Sequence, residues 1–381
     1  MWEKSIKRIF RGVALVALLG IPSASFTPHS LFAQDLSESP AGFDAYRAQL
    51  RAAGEAAGIK AETLDAVIPN LKFLPRVVAL DRSQPGSSAS GSIPAFAPYR
   101  ARHVDAARID RGRARYARLR PLLERVEKET GVPEAMMMAI YGHETNYGAY
   151  TGSFDLANAL ASLAYDGRRR ALFTQEFVAL LKLMDQGIPR ARLKGSWAGA
   201  TGYPQFLPSV YLRVARDGDG DNIADIWRSE ADALASIANY FRNAGWRAGV
   251  PWGVSAQLSA GFQGRQLATR LVSPRCPRVH GRHSQWKTVA EWRALGVVPS
   301  RAILRDTELV SLFQPDGPNS PAWLLTGNYR VILDYNCSNF YALSVGLLAD
   351  AVEVGVDQGA NAATSGGALP DGFGAERMRA F

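Results

Sequence analysis

Hydrophobic residues recur at helical spacing over most of the first two thirds of the chain. Between Phe43 and Leu71, Ala and Leu return every three or four residues. A Pro/Gly/Ser-rich stretch over 83–98 interrupts this pattern, which then resumes. Further helices are predicted over 102–130, 133–144, 154–164, 170–186 and 229–244. In the second of these, Pro133 suits the first helical position and Glu134 complements the positive end of the helix dipole.

The pattern changes after Trp252. The short apolar pieces "LATRLVSP", "AWLLTG" and "YRVILDY" lie between Pro and Gly residues and predict short strands. Helical periodicity returns over 339–352, where a final helix is expected to pack back on the helical body. The predicted class is therefore mainly α (α+β). The expected order is a helical region and loop (34–98), a core (99–250), an inserted strand-rich region (251–334), a last core helix (335–354) and a flexible tail (355–381).

The N-terminus has the layout of an export signal. Four basic residues precede the apolar run 13–21, which is too short to span a bilayer as a helix. Small residues at 23–25 and at Ala33 offer cleavage sites, and no Cys follows the run to take a lipid. We predict a signal peptide over 1–33. If this segment is not cleaved, the protein would be membrane-associated. The alternative is a buried N-terminal helix of the fold.

Composition adds two constraints. The formal net charge is +9, and removing residues 1–33 leaves +6, so the protein is expected to favour an anionic polymer or membrane surface, or only to have a mildly basic surface. Nucleic acid is not predicted as a partner, because no Lys/Arg run is interleaved with aromatic residues. The two cysteines, Cys276 and Cys337, would pair in an oxidising compartment; the alternative is two buried thiols.

Glu144 is the candidate catalytic residue. In the helix that begins near Pro133, it shares one face with apolar residues at helical spacing, Met137, Ile140 and Tyr141. A carboxyl group on such a face pairs with a cation, reaches water at the helix end, or keeps its proton because burial raises its pKa. The third case describes a general acid, and the spacing alone leaves all three open.

A second motif, "KGSWAGATGYPQFLPS" over 194–209, combines small residues with aromatic rings, Ser196 and Gln205. Gly and Ala allow the backbone to approach a ligand closely, while Ser and Gln supply neutral hydrogen bonds. Sugar-binding sites use this combination, although any tight loop can resemble it.

Several motifs together resemble the lytic murein transglycosylase B family of peptidoglycan-cleaving enzymes. They are "ETNYG" (144–148), "GSWAGATGYPQFLPS" (195–209), "DGDGD" (217–221), "ALASIANYF" (233–241) and "YNCSNFYALSVGLLAD" (335–350), and the match runs from Phe43 to Val354. The resemblance implies a lysozyme-like helical core and cleavage of the bond between N-acetylmuramic acid (MurNAc) and N-acetylglucosamine (GlcNAc) without water. It also implies 1,6-anhydro ends and Glu144 as the single acid and base. The predicted export signal, in turn, indicates a periplasmic location.

The resemblance also assigns binding residues. Residues expected along the glycan groove are Tyr99, Ser196, Gln205, Phe206, Tyr240, Tyr335, Asn336 and Tyr341. Tyr240 and Tyr341 lie on apolar helix faces and would alternatively be core residues. Arg169 and Arg170 match paired arginines that hold stem-peptide carboxylates, or else form a solvated helix start. The expected partners are glycan strands and cell-wall synthesis or division proteins, with a monomeric enzyme.

The segment "DGDGDNIADIWR" resembles a calcium-binding loop. Asp217, Asp219, Asp221 and Asp225 occupy its positions 1, 3, 5 and 9, but Asn222 replaces the usual Gly and Arg228 stands where a bidentate carboxylate belongs. The segment predicts a structural Ca²⁺ or a turn held by Asp side chains. No other cofactor is required by any motif. Two rival functions remain at this stage, a muramidase that uses water and a peptidoglycan-binding protein without activity.

Overall fold

The computed structural model describes residues 40–84, 94–262, 264, 276–318 and 320–364. The predicted signal peptide, the segment "LATRLVSP" and residues 365–381 of the predicted tail lie outside the described residues. No helix in the described ranges combines the length and the apolar character that a membrane span needs.

Ten helices precede residue 250 in the described part of the chain. They are α1 (Pro40–Ala56), α2 (Ala61–Val67), α3 (Pro75–Arg82), α4 (Phe96–His103), α5 (Ala106–Thr130), α6 (Glu134–Thr145), α7 (Leu156–Asp166), α8 (Arg170–Asp185), α9 (Pro208–Val214) and α10 (Glu230–Asn243). Pro133 is the residue before α6 rather than its first helical residue, because its ψ of 140° is extended. The mainly helical prediction for this part is confirmed.

A sheet occupies the region after Trp252. Its strands are β3 (Gly253–Leu258), β4 (Trp286–Thr288), β5 (Val297–Pro299), β6 (Leu309–Phe313) and β7 (Ala322–Leu325), antiparallel in the order β4-β6-β7-β3-β5. Two short strands in the helical part, β1 (Phe154–Asp155) and β2 (Lys194–Gly195), form a separate pair. Helices α11 (Pro277–His280) and α12 (Val289–Ala294) accompany the sheet, and α13 (Gly327–Tyr335) and α14 (Asn339–Thr364) follow it. The α+β class is confirmed.

One strand prediction is wrong, and the last helix ends later than predicted. The segment "YRVILDY" belongs to helix α13, because the Thr326 hydroxyl accepts the Asn328 amide at the helix start and Tyr329, Ile332 and Leu333 are buried at helical spacing. Helix α14 continues to Thr364, beyond the predicted start of the tail at 355.

Three hydrophobic clusters form the core. One surrounds α6 with residues of α5, α10, α13 and α14, a second joins α1–α3 to α7–α9, and a third lies under the sheet. Tyr240 and Tyr335 pack against both of the first two clusters. Nine consecutive residues of α6, from Glu134 to Gly142, are buried, so this helix is enclosed on all sides. A disulfide joins Cys276 to Cys337, between the sheet region and the start of α14; the alternative of two free thiols is wrong.

Candidate active site

Glu144 lies one residue before the end of the enclosed helix α6. The helix stops because Asn146 and Tyr147 both adopt left-handed backbone angles, with φ of 52° and 60°. The Tyr147 ring folds back over Gly142, where a Cβ atom would lie 2.5 Å from the ring. The chain therefore turns away directly after Glu144, which leaves its carboxyl group at the end of a buried helix.

The surroundings of Glu144 favour its protonated form. The side chain is half-buried, and burial raises its pKa from 4.5 to about 7. The Tyr341 hydroxyl donates a hydrogen bond of 2.5 Å to Oε1 of Glu144, which lowers the pKa in part. Among the described residues no Lys or Arg forms an ion pair with this carboxyl group. Glu144 therefore holds a proton at a pH where an ordinary Glu is ionised.

Tyr341 is fixed by its neighbours. The His143 ring lies edge-on to the Tyr341 ring at 4.4 Å, and its Nε2 is 2.8 Å from the Ser344 hydroxyl, which in turn donates to the Tyr341 carbonyl. Burial lowers the pKa of His143 to about 3, so the ring is neutral. His143 and Ser344 are not among the predicted site residues, and the position of His143 next to Glu144 on the helix predicts a structural residue. Their helical positions give no signal of this contact, which depends on the packing of α14 against α6.

A group of packed aromatic residues is connected to the carboxyl group through Tyr335, whose pKa the charge of Glu144 raises. Tyr335 and Tyr240 are half-buried with ring centroids 4.8 Å apart, and Phe206 lies 6.0 Å from Tyr240. Burial and the charge of Glu144 raise the pKa of both Tyr335 and Tyr341, so both hydroxyls remain neutral donors. The Tyr335 hydroxyl donates to the Pro204 carbonyl at 2.5 Å. The fold thus brings residues from α10, α13, α14 and the 194–209 motif to the end of α6.

Tyr99 reaches the same place from helix α4. Burial and the charge of Glu144 raise its pKa, which places it within electrostatic range of the carboxyl group. Its ring stacks on His103 at 4.0 Å. Asn336, by contrast, is an exposed residue at the end of α13. Of the predicted groove residues, only Tyr341 hydrogen-bonds Glu144 within the described structure.

Residues of the loop that follows Glu144 contact both Ser196 and Gln205. A Cβ on Gly152 would lie 2.6 Å from the Ser196 nitrogen, so only glycine allows this approach. Gln205 Nε2 donates to the Thr151 carbonyl at 3.1 Å, and the Gln205 backbone has a φ of 51°. The two sequence motifs are therefore held together through residues 148–152.

Arg169 and Arg170 already have partners within the protein. Arg169 forms an ion pair with the buried carboxylate of Asp81, and its guanidinium lies 4.7 Å from the Phe173 ring. Arg170 donates to the carbonyls of Ala164 and Tyr165, both at 3.1 Å, at the end of α7. Their binding of stem-peptide carboxylates stays a prediction.

The acidic loop divides into two parts. Carboxylate oxygens of Asp217, Asp219 and Asp221 all lie within 4.8 Å of one another. Asp225 is not part of this group, because it pairs with Arg228 at 2.8 Å and Arg192 at 3.3 Å. The role of Asp225 as a metal ligand stays a prediction, and its carboxylate lies apart from the three clustered ones. The residue that stands in the last ligand position, Arg228, neutralises Asp225 instead.

Comparison with known proteins agrees with this geometry. Residues 42–350 match the model of the transglycosylase SLT domain family. The chain is 30% identical to membrane-bound lytic murein transglycosylase B of Escherichia coli (strain K12), over 77% of this chain and 79% of that protein.

Solved structures give the same result. SltB3 from Pseudomonas aeruginosa, in complex with NAG-anhNAM-pentapeptide, is similar with 37% identity and a TM-score of 0.72, over 82% of this chain and 79% of that one. The Escherichia coli lytic transglycosylase Slt35, in complex with calcium, is similar with 27% identity and a TM-score of 0.67, over 85% and 96%. The predicted lysozyme-like, mainly helical class is thereby confirmed. The chain belongs to the transglycosylase SLT domain family and is a peptidoglycan lytic transglycosylase.

Proposed function

We propose that Glu144 is the single catalytic acid and base in cleavage of the MurNAc-β-1,4-GlcNAc bond. The observation that carries this proposal is the half-buried position of the Glu144 carboxyl group without a basic partner among the described residues, which raises its pKa to about 7. A general acid works best when its pKa is close to the working pH. A neutral tyrosine donor, Tyr341, holds one oxygen of the carboxyl group and leaves the other available.

The reaction proceeds in two proton transfers. Protonated Glu144 donates to the glycosidic oxygen while the bond from that oxygen to C1 of MurNAc breaks, and the 2-acetamido oxygen of the same sugar bonds to C1. The Glu144 carboxylate then removes the proton from the C6 hydroxyl, whose oxygen attacks C1 and releases the acetamido group. The product carries a 1,6-anhydro ring, no water is consumed, and Glu144 is protonated again.

The aromatic and polar residues near Glu144 would hold the glycan. We assign Tyr99, Ser196, Gln205, Phe206, Tyr240, Tyr335, Asn336 and Tyr341 to this groove. Tyrosine rings offer flat faces for sugar rings and neutral hydroxyls for hydrogen bonds. The packing of Phe206, Tyr240 and Tyr335 against one another supports a rigid wall.

Digestion of purified sacculi tests the assignment. The wild-type protein is expected to release 1,6-anhydro muropeptides, and Glu144→Gln is expected to release almost none because the amide cannot donate or accept the required proton. Mass spectrometry distinguishes the muramidase alternative, whose products contain one more water. Wild-type product levels from the variant would refute the role of Glu144, and tight sacculus binding without any turnover would favour the non-catalytic alternative.

We also propose that Asp217, Asp219 and Asp221 hold a structural Ca²⁺. The cluster of three carboxylates fits a hard cation, and a related enzyme was solved with calcium. Binding is expected to be weak, because Arg228 occupies the last ligand position and Glu230 pairs with Arg115 and Arg118. Calorimetry of chelator-treated protein tests this. A heat of Ca²⁺ binding that Asp219→Asn removes is expected, and no heat with the wild type would exclude the ion.

The N-terminal charge and apolar pattern supports a periplasmic enzyme, which acts as a monomer on glycan strands. A fusion of residues 1–40 to a reporter that is active only after export tests the location. An inactive fusion would contradict it.

A further inference from the structure

Three nearly parallel aromatic rings connect helix α4 to helix α6. The Tyr99 ring stacks on His103 with ring centroids 4.0 Å apart and an interplanar angle of 19°. His103 stacks in turn on His143, at 4.8 Å and 11°. Tyr99 and His103 belong to α4, whereas His143 directly precedes Glu144 in α6. The stacked rings therefore join the Tyr99 side of the proposed groove to the helix that carries the candidate acid.

His143 also contacts helix α14. Its Nε2 lies 2.8 Å from the Ser344 hydroxyl, and its ring lies edge-on to the Tyr341 ring at 4.4 Å. A hydroxyl group has one proton, and Ser344 donates it to the Tyr341 carbonyl at 2.9 Å. Nε2 of His143 is therefore the donor in its contact with Ser344. Because the His143 ring is neutral, this contact fixes the tautomer that carries its proton on Nε2.

His143 acts on Glu144 through its neighbours rather than directly. Consecutive side chains on a helix point in different directions, about 100° apart. Burial and the hydrogen bond from Tyr341 are the two influences on the pKa of Glu144 within the described structure. The imidazole therefore takes no part in proton transfer at the carboxyl group, and its effect on the reaction depends on what it holds in place.

We infer that His143 is a positioning residue for both sides of the groove: its ring holds the Tyr99 side, and its Nε2 proton holds the Tyr341 side. The inference rests on the proposed function, in which Tyr99 binds glycan and Tyr341 hydrogen-bonds the carboxyl group of Glu144. The two contacts use different parts of the imidazole, its flat face and one nitrogen at its edge. Substitutions can therefore remove one contact and keep the other.

Two substitutions of His143 test the inference. His143→Phe keeps a flat ring and loses the donor, whereas His143→Gln keeps an amide donor at a similar reach and loses the ring. The substrate is the tetrasaccharide GlcNAc–MurNAc–GlcNAc–MurNAc, and the anhydro product is measured by mass spectrometry. We expect His143→Phe to lower kcat about tenfold at the wild-type KM, because an oriented hydrogen bond is lost. We expect His143→Gln to keep the wild-type kcat and to raise KM about fivefold, because the ring contact is lost.

The partner residues provide the same test from the other side of each contact. Ser344→Ala should reproduce the loss in kcat and His103→Ala the increase in KM, so the two contacts can be separated even if a variant of His143 does not fold. His280→Leu, which removes a buried histidine on α11, is the matched control and is expected to change neither constant.

The outcomes are distinguishable. Changes in kcat and KM that are the same for His143→Phe and His143→Gln, or wild-type constants in both variants, would overturn the inference. Failure of the wild type to form anhydro product would instead refute the proposed function. The affinity of His143→Gln for the disaccharide GlcNAc–MurNAc, which lacks the bond that the enzyme cleaves, would then still measure the contribution of the ring contact.

Discussion

At the scale of single residues, burial and the hydrogen bond from Tyr341 act on the pKa of Glu144 in opposite directions. Burial favours the protonated acid needed for the first step, whereas the hydrogen bond from Tyr341 favours the carboxylate needed for the second. A pKa of about 7 is the result of both. The hydroxyl thus keeps the base accessible after the acid has reacted.

Removal of this hydroxyl in Tyr341→Phe is expected to raise the pKa of Glu144 further. The basic limb of kcat/KM against pH reports this group in the free enzyme, so the limb should move upward from pH 7 by about one unit. The rate at pH 6 should fall about tenfold, because the carboxyl group loses a hydrogen bond that orients it. Tyr335→Phe is the control, because the Tyr335 hydroxyl donates to the Pro204 carbonyl. The basic limb of kcat/KM in this variant should not move. An unchanged basic limb of kcat/KM in Tyr341→Phe would show that the Tyr341 hydroxyl does not lower the pKa of Glu144.

Glu144→Gln is expected to stabilise the protein in a pH-dependent way. Between pH 4.5 and about 7 the folded protein keeps a proton that the unfolded chain releases, so wild-type stability decreases as the pH rises through this window. The shift from 4.5 to about 7 corresponds to at most about 3 kcal/mol. Urea unfolding should therefore give the variant a larger free energy of unfolding than the wild type at pH 8 and a nearly equal one at pH 4.5. An equal gain at both pH values would argue against ionisation as the cause.

The sequence indicates Glu144 as the candidate catalytic residue but predicts only part of its surroundings. Helical spacing puts Glu144 on an apolar face, and the motif resemblance adds Tyr341. The pairing of Asp225 with Arg228 could be expected from their spacing of three residues, yet the loop pattern favoured a metal ligand. Arg170 donates to a backbone carbonyl at the end of α7. No local sequence pattern predicts this hydrogen bond.

At the scale of elements, the end of helix α6 determines where Glu144 lies. Two consecutive left-handed residues that are not glycine are costly, so packing must hold them in place. Tyr147 supplies this packing, since its ring is buried over Gly142 and its hydroxyl approaches Gly112. Helical periodicity predicts that α6 exists, but it cannot predict this ending.

Gly142→Ala tests the importance of that packing. An alanine usually stabilises a helix interior relative to glycine. Here the new Cβ would lie 2.5 Å from the Tyr147 ring, and overpacking is expected to cost about 1–3 kcal/mol and to lower activity through Glu144. Gly327→Ala in α13 is the control, because nothing lies within 4 Å of its added Cβ, and it should be neutral or stabilising. Thermal unfolding measures the stability of both variants, and sacculus digestion measures their activity. Wild-type stability and activity in Gly142→Ala would contradict the role of Tyr147 packing in holding the end of α6.

At the scale of the whole molecule, the chain leaves the helical body after α10, forms the sheet and returns through α13 and α14. The return brings Tyr335 and Tyr341 to a carboxyl group on α6, almost two hundred residues earlier in the chain. Apolar periodicity over 339–352 predicts the return, whereas "YRVILDY" predicts a strand where the structure has a helix, because a short apolar run does not distinguish the two. The Cys276–Cys337 disulfide fixes the return point, beside the first turn of α14.

Loss of this disulfide is expected to destabilise the whole protein and to reduce activity. It closes a loop with a sequence separation of 61 residues, for which chain entropy predicts a contribution of about 4 kcal/mol. A Cys276→Ser/Cys337→Ser variant should therefore unfold at a lower urea concentration, and its Tyr341 should be held less firmly against Glu144 because α14 starts two residues after Cys337. Reductant should lower the unfolding midpoint of the wild type and leave that of the variant unchanged. If reductant lowers both midpoints equally, or neither, the disulfide does not stabilise the return of the chain, and the packing of α14 against α6 must suffice to hold Tyr341 on the catalytic carboxyl group.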